Sequence, residues 1–184
     1  SIIKFTLAPK IHRGRHAQGL HNLWAETTKI HDPDLTTLGK QQCAELQKNF
    51  PHHHGVDLIV ASPIRRTLYT ALLSFEDDIK TKQLTIIALP ELQETSDLPC
   101  DTGSSLTHLA NEFASSRIDF THVQPGWTVK TGKWSPDKEA IKKRALEARE
   151  WLAKRPEKEI VVVTHGSYRS FGDSALIAAI VLSC

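Results

Sequence analysis

Three short apolar runs limit what this chain can fold into more than any other feature. They are Val56-Asp57-Leu58-Ile59-Val60-Ala61, Leu84-Thr85-Ile86-Ile87-Ala88-Leu89 and Ile160-Val161-Val162-Val163. Each is short, β-branched and mostly apolar, the character of strands covered on both faces. Between them the apolar period changes to that of a helix. Leu68, Ala71, Leu72 and Phe75 repeat at i, i+3, i+4 and i+7, and Ser62-Pro63 offers an N-cap followed by proline at the first helical position. A helix opening at Leu35-Thr36-Thr37-Leu38-Gly39 and ending at Phe50 carries Leu38, Cys43, Leu46 and Phe50 on one face, with Thr36 or Thr37 as cap. Leu106, Leu109, Ala110 and Phe113 form another stripe, and a long helix over 137–154 is expected from Ile141, Ala145, Ala148 and Leu152.

A first strand is expected over 2–8, stopped by Pro9, with 10–14 as a polar lead into the next segment. A short helix or loop follows over 23–29, and Asp32-Pro33-Asp34 marks a turn. Segment 120–136, with Trp127 and Trp134, has no clear period and serves equally as core or as a substrate cap. Strands alternating with helices predict an α/β fold: a three-layer α/β/α sandwich around a mainly parallel central sheet, with residues 1–184 as one domain.

Composition narrows the partners. A net charge of +2 with no stripe of Lys and Arg speaks against a nucleic-acid binder. No apolar run reaches membrane-spanning length and no leader pattern is visible, so the expected location is cytoplasmic, without a membrane partner. Cys43, Cys100 and Cys184 are odd in number and lack metal-type spacing, which suits free thiols. His52-His53-His54 is expected to be a surface loop rather than a metal site, because adjacent histidines point in different directions and no spaced partner is visible. The apolar tail over 174–182 reads as buried core or as a contact between subunits of a homo-oligomer.

In an open parallel sheet, ligands bind beyond the carboxyl ends of the strands. Four groups of polar residues fall there. Arg15-His16-Ala17-Gln18-Gly19-Leu20-His21-Asn22 combines a guanidinium, an imidazole, small residues and a carboxamide. Arg65 and Arg66 lie in the first turn after 56–61, Glu94 follows the strand that stops at Pro90, and His165 lies just past 160–163. Cations in a first helical turn oppose the helix dipole and call for an anion nearby. Such a rim can neutralise a phosphoryl dianion while one imidazole attacks and one acid protonates the leaving oxygen.

Arg15-His16 with Asn22, Ser62-Pro63-Ile64-Arg65-Arg66-Thr67, Leu92-Gln93-Glu94 and Thr164-His165-Gly166, in this order, resemble the histidine phosphatase superfamily with its phosphoglycerate mutase-like fold. Pro99-Cys100-Asp101-Thr102-Gly103 and the octet look most like its phosphomutase-like small phosphatases. The resemblance implies His16 as the nucleophile that becomes phosphohistidine. It further implies Arg15, Arg65 and His165 around the phosphoryl oxygens, Asn22 as a further donor, and Glu94 as general acid and then base. Arg66 is expected to be less involved than Arg65, and Glu91 and Asp97 are neighbours that could replace Glu94. No metal and no cofactor are implied, and the ligand would be a small phosphorylated metabolite or inorganic phosphate. Three activities fit: a metal-independent phosphatase, a phosphomutase or non-hydrolytic enzyme reusing the same pocket, and a catalytically silent anion-binding protein.

Overall fold

The computed structural model describes residues 8–167 and the backbone of 177–179. In chain order the elements are β1 (Lys10–Arg15), α1 (Thr37–Asn49), β2 (Leu58–Ala61), α2 (Arg65–Ser74), α3 (Glu76–Lys82), β3 (Ile86–Ala88), α4 (Leu106–Glu112), β4 (Ile118–Asp119), α5 (Lys138–Ala153), β5 (Glu159–Thr164) and β6 (Ile177–Ala179). The strands form one six-stranded sheet in the order β4-β3-β2-β5-β1-β6, and every neighbouring pair is parallel.

The apolar runs behave as their composition demands. In β5, Val161 and Val163 pack into one core and Ile160 and Val162 into another; in β2, Ile59 and Ala61 oppose Leu58 and Val60. The first core also holds Ile64, Leu68, Ala71, Phe75, Ile79, Leu109 and Phe113 from α2, α3, α4 and their flanks, and the second holds Ala145, Ala148 and Leu152 from α5. Helices therefore cover both faces of the sheet, the three-layer arrangement that doubly buried strands require. Among the described residues no helix is long and apolar enough to cross a membrane.

Several local expectations change. The strand leading to His16 is Lys10–Arg15, the stretch read above as a polar connection, whereas the strand expected over 2–8 lies outside the described residues but for its last residue. β1 sits between β5 and β6, so tertiary pairing decides its conformation despite the polar side chains. His16 consequently stands directly at a strand end, with its N–H donating to the Thr164 carbonyl at 2.9 Å. Ser62 does not cap α2; the N-cap position is Ile64, and the α2 terminus is met by Asp32, whose Oδ1 accepts the Arg65 N–H at 3.0 Å. The helices α3 and β-strand β4 were not anticipated. Trp127 is buried in the first core, with its ring occupying the space where a side chain at Gly103 would project, so at this position packing is the observed outcome. Cys43 and Cys100 are free and buried; Cys184 and the side chains of the 174–182 tail lie outside the described residues.

The start of α1 braces the loop that follows β1. Thr36 is the N-cap, its Oγ1 accepting the Gly39 N–H at 2.9 Å and donating to Gln18 Oε1 at 2.7 Å, while the Gln18 N–H donates to Gln42 Oε1 at 2.8 Å. Gly39 lies against this loop so closely that a Cβ there would stand 2.1 Å from the Gln18 carbonyl oxygen. In an open helix Gly→Ala would gain about 1 kcal/mol. Here backbone meets backbone, and overpacking of this kind costs about 1–3 kcal/mol. Gly39→Ala is therefore expected to lower the thermal midpoint, against helix propensity; a stabilised variant in thermal denaturation would refute this contact.

Candidate active site

Three adjacent strand ends build the site. His16 follows β1, Ser62 follows β2 and His165 follows β5, and the Ser62 N–H donates to the Val163 carbonyl at 3.0 Å, so all three stand at one level of the sheet. The imidazoles of His16 and His165 approach to 5.2 Å between centroids, and both are buried.

Between them lies the guanidinium of Arg66, itself fully buried. Its Nε donates to His16 Nε2 at 3.1 Å, and its Nη2 lies 3.1 Å from His165 Nδ1. Nη1 donates to the Cys100 carbonyl at 2.5 Å and Nη2 to Asp101 Oδ1 at 3.0 Å. A guanidinium can only donate, so both imidazole nitrogens facing it carry lone pairs. The opposite nitrogens then bear the protons: His16 Nδ1–H donates to the Ala17 carbonyl at 2.7 Å, and His165 Nε2–H to Ser62 Oγ at 3.0 Å. Burial first, and the Arg66 charge second, hold both imidazoles well below the usual histidine range. The result is a neutral His16 with the Nε2 lone pair aimed into a cationic site.

His21 adds a third ring, 5.3 Å from that of His16, and burial together with Arg66 lowers it to about 4. Its Nδ1 is buried without a hydrogen-bond partner among the described residues, and so is Arg15 Nε. The Arg15 side chain lies against Gly166, where a Cβ would stand 3.3 Å from Nε. A buried polar atom left unpaired in this way is open to a ligand's polar group.

Glu94 comes to the same rim by a different route. Thr164 Oγ1 donates to the Leu92 carbonyl at 2.8 Å, and the buried Arg144 of α5 donates through Nη1 to the Gln93 carbonyl at 2.6 Å. The Glu94 carboxyl is buried and accepts the Thr95 N–H at 2.8 Å; burial, and next the Asp101 charge, raise it above the ordinary carboxylate range. Lys130, from segment 120–136, donates to Gln93 Oε1 at 2.9 Å and to the Asp101 carbonyl at 2.8 Å, and burial lowers it to about 8.

His16, His165, Arg15 and Glu94 are thus gathered as the sequence reading requires, but Arg65 and Asn22 are not. The Arg65 guanidinium turns to Glu112, its Nε donating to the two carboxylate oxygens at 2.9 and 2.8 Å, and Nη1 donates to the Asp32 carbonyl at 3.0 Å. Arg66 holds the position assigned to Arg65. The exchange follows from helix geometry: Arg66 shares the buried stripe of Thr70 and Ser74, one and two turns on, whereas Arg65 shares the outer side with Tyr69, whose hydroxyl also donates to Glu112. Asn22 is exposed and spends its carboxamide oxygen on the Gly19 N–H at 3.0 Å. Glu91 is drawn off by Lys133 at 2.6 Å, which leaves Glu94 the better placed carboxyl. Ser62, His21, Asp101 and Lys130 have no site role in the sequence reading, although His21 and Asp101 lie within segments it singles out.

The chain is similar to several known proteins. A probable phosphatase of Schizosaccharomyces pombe is 31% identical over 154 residues, covering 83% of this chain and 71% of the relative. A phosphoglycerate mutase-like protein of Arabidopsis thaliana is 29% identical, over 86% and 71% of the two chains. Among solved structures, the ecdysone phosphate phosphatase of Bombyx mori, in complex with tungstate, superposes with a TM-score of 0.59 at 16% identity, over 87% of this chain and 74% of the other. A putative alpha-ribazole-5'-P phosphatase of Escherichia coli gives 0.57 at 20% identity, over 90% and 78%. These last two show a shared fold. The family model for branch 1 of the histidine phosphatases runs from residue 14 to residue 171, through both imidazoles and the arginine between them, and the chain belongs to the histidine phosphatase superfamily.

Proposed function

We propose that the protein is a metal-independent phosphatase that hydrolyses a small phosphorylated metabolite through a phosphohistidine formed on His16. The observation that carries this reading is the buried guanidinium of Arg66 held between the lone pairs of His16 Nε2 and His165 Nδ1. A phosphoryl group entering there exchanges the imidazole acceptors of Arg66 for its own oxygens, with Arg15 supplying further donors. His16 Nε2 then attacks phosphorus, the N–P bond forms as the bond to the leaving oxygen breaks, and the raised Glu94 carboxyl gives that oxygen its proton. In the second step Glu94, now ionised, takes a proton from water; the water oxygen bonds phosphorus, the N–P bond breaks, and inorganic phosphate and neutral His16 are restored.

The donor set supports catalysis by protein cations. Arg66 and Arg15 face the place where charge develops, while the nearby carboxylate of Asp101 is already taken by Arg66 and by Ser96 Oγ at 2.6 Å. Segment 120–136 carries Lys130 to the rim, which supports a covering role over the substrate for that segment. The phosphatase named among the sequence relatives, and the tungstate held by one structural neighbour, are in keeping with a tetrahedral anion at this site.

Incubation with generic phosphate esters should release phosphate from the native chain and none from His16→Ala, and acid-labile label from a phosphorylated substrate should be trapped on the native protein alone. Equal release by both proteins would sink the assignment of His16. Arg66→Lys should lower kcat/KM by about 10²–10³-fold, since one preorganised donor of this kind is worth that much. Arg65→Lys should leave kcat/KM near native and lower the thermal midpoint. The reverse ranking in steady-state kinetics would return the phosphate contact to Arg65. Because the Asp101 charge helps to raise Glu94, Asp101→Asn should let Glu94 ionise at lower pH. The alkaline limb of kcat against pH should then move toward acid; an unmoved limb would mean that Glu94 is not the acid.

A further inference from the structure

The amino end of the sheet carries a second group of ligating side chains that the reaction does not use. His12 is the third residue of β1, about 13 Å along the strand from His16, and Glu159 opens β5. His12 is buried, and its Nε2 lies 2.5 Å from Glu159 Oε1. His52, in the turn after α1, stacks its ring on His12 with centroids 4.7 Å apart. One ligand atom from each of His12, His52 and Glu159 falls within 4.8 Å of the others.

A cation already bridges two of these groups. The Lys10 ammonium lies 3.1 Å from Glu159 Oε1 and 3.5 Å from His52 Nδ1. An ammonium has no acceptor, so the nitrogen of His52 facing it presents a lone pair. Lys10 is half exposed on a flexible stem and can leave for solvent. The neighbouring histidines do not compete: His53 is committed through Nδ1 to Asp78 and through Nε2 to the Gln47 carbonyl, and His54 is exposed.

We propose that His12, His52 and Glu159 form a binding site for a zinc-class divalent cation, with Lys10 as the displaceable occupant. Two imidazoles and a carboxylate with an open fourth position are an established zinc ligand set. Tetrahedral bonds of about 2.0–2.1 Å need ligand atoms about 3.3 Å apart, so the widest pair closes inward. The 2.5 Å pair opens as its hydrogen bond is replaced by two bonds to the ion. The ion would tie β1, β5 and the turn at 52 together, far from the phosphoryl site. It would stabilise the fold by mass action and take no part in the reaction.

The test uses the full chain stripped with chelator and then titrated with Zn²⁺ in a calorimeter and with Co²⁺ in a spectrophotometer. One saturable site is expected, with the intense visible bands of low-coordinate Co²⁺ and a higher thermal midpoint. His52→Ala, a partly exposed change that leaves the core intact, should weaken Zn²⁺ binding at least tenfold and abolish the shift in midpoint, and Glu159→Gln should do the same. Lys10→Ala should tighten binding several-fold, and His54→Ala and His16→Ala should bind as the native chain does. Native-like binding by His52→Ala, weaker binding by Lys10→Ala, or no saturable Co²⁺ spectrum would each overturn the site. None of these readouts depends on phosphatase activity.

Discussion

Everything at the working end of this molecule depends on one buried cation. Taking a guanidinium out of water costs several kcal/mol unless its donors are met. Arg66 meets that demand with the Cys100 carbonyl, the Asp101 carboxylate and the lone pairs of two imidazoles. This arrangement fixes the tautomers of His16 and His165, keeps both rings neutral and points their unprotonated nitrogens at the same place. Two of the four acceptors are neutral nitrogens, which a charged phosphoryl oxygen could replace with a stronger, charge-assisted bond.

The parallel sheet makes that meeting possible. β1, β5 and β2 lie side by side, so residues 16, 165 and 62, far apart in sequence, emerge at one level. The carboxyl end of such a sheet is a rim of chain ends with loops free to carry function, while doubly buried valines and isoleucines hold the strands rigid beneath it. The same alignment works at the opposite end: strand starts bring His12 and Glu159 together, and the turn after α1 brings His52 onto them.

Local patterning was most legible where burial is two-sided. β2, β3 and β5, the long helix α5 and the capped start of α1 all carry their signal in a few neighbouring residues. β1 did not, because Lys10, His12, Arg13 and Arg15 are polar and the strand is imposed by its partners β5 and β6. Ser62 had the look of a helix cap, yet its hydroxyl serves His165 and the helix starts later. The choice between Arg65 and Arg66 could not be made from their adjacency. One step along a helix turns a side chain by about 100°, and only the packing of α2 on the sheet shows which of the two faces inward. The grouping of His52 with His12 and Glu159, forty residues before it and over a hundred after it, is invisible to any local window.

The sequence by itself determined the class of fold and the rim on which the chemistry collects. Hydrophobic period and the alternation of strands with helices are local properties, and Glu94 and His165 each stand next to a legible element. Tertiary structure decided which guanidinium enters the site, which nitrogen of each imidazole is free, and which carboxyl is raised by its neighbours. Those properties come from burial and from distances between segments remote in the chain, and no window of neighbouring residues contains them.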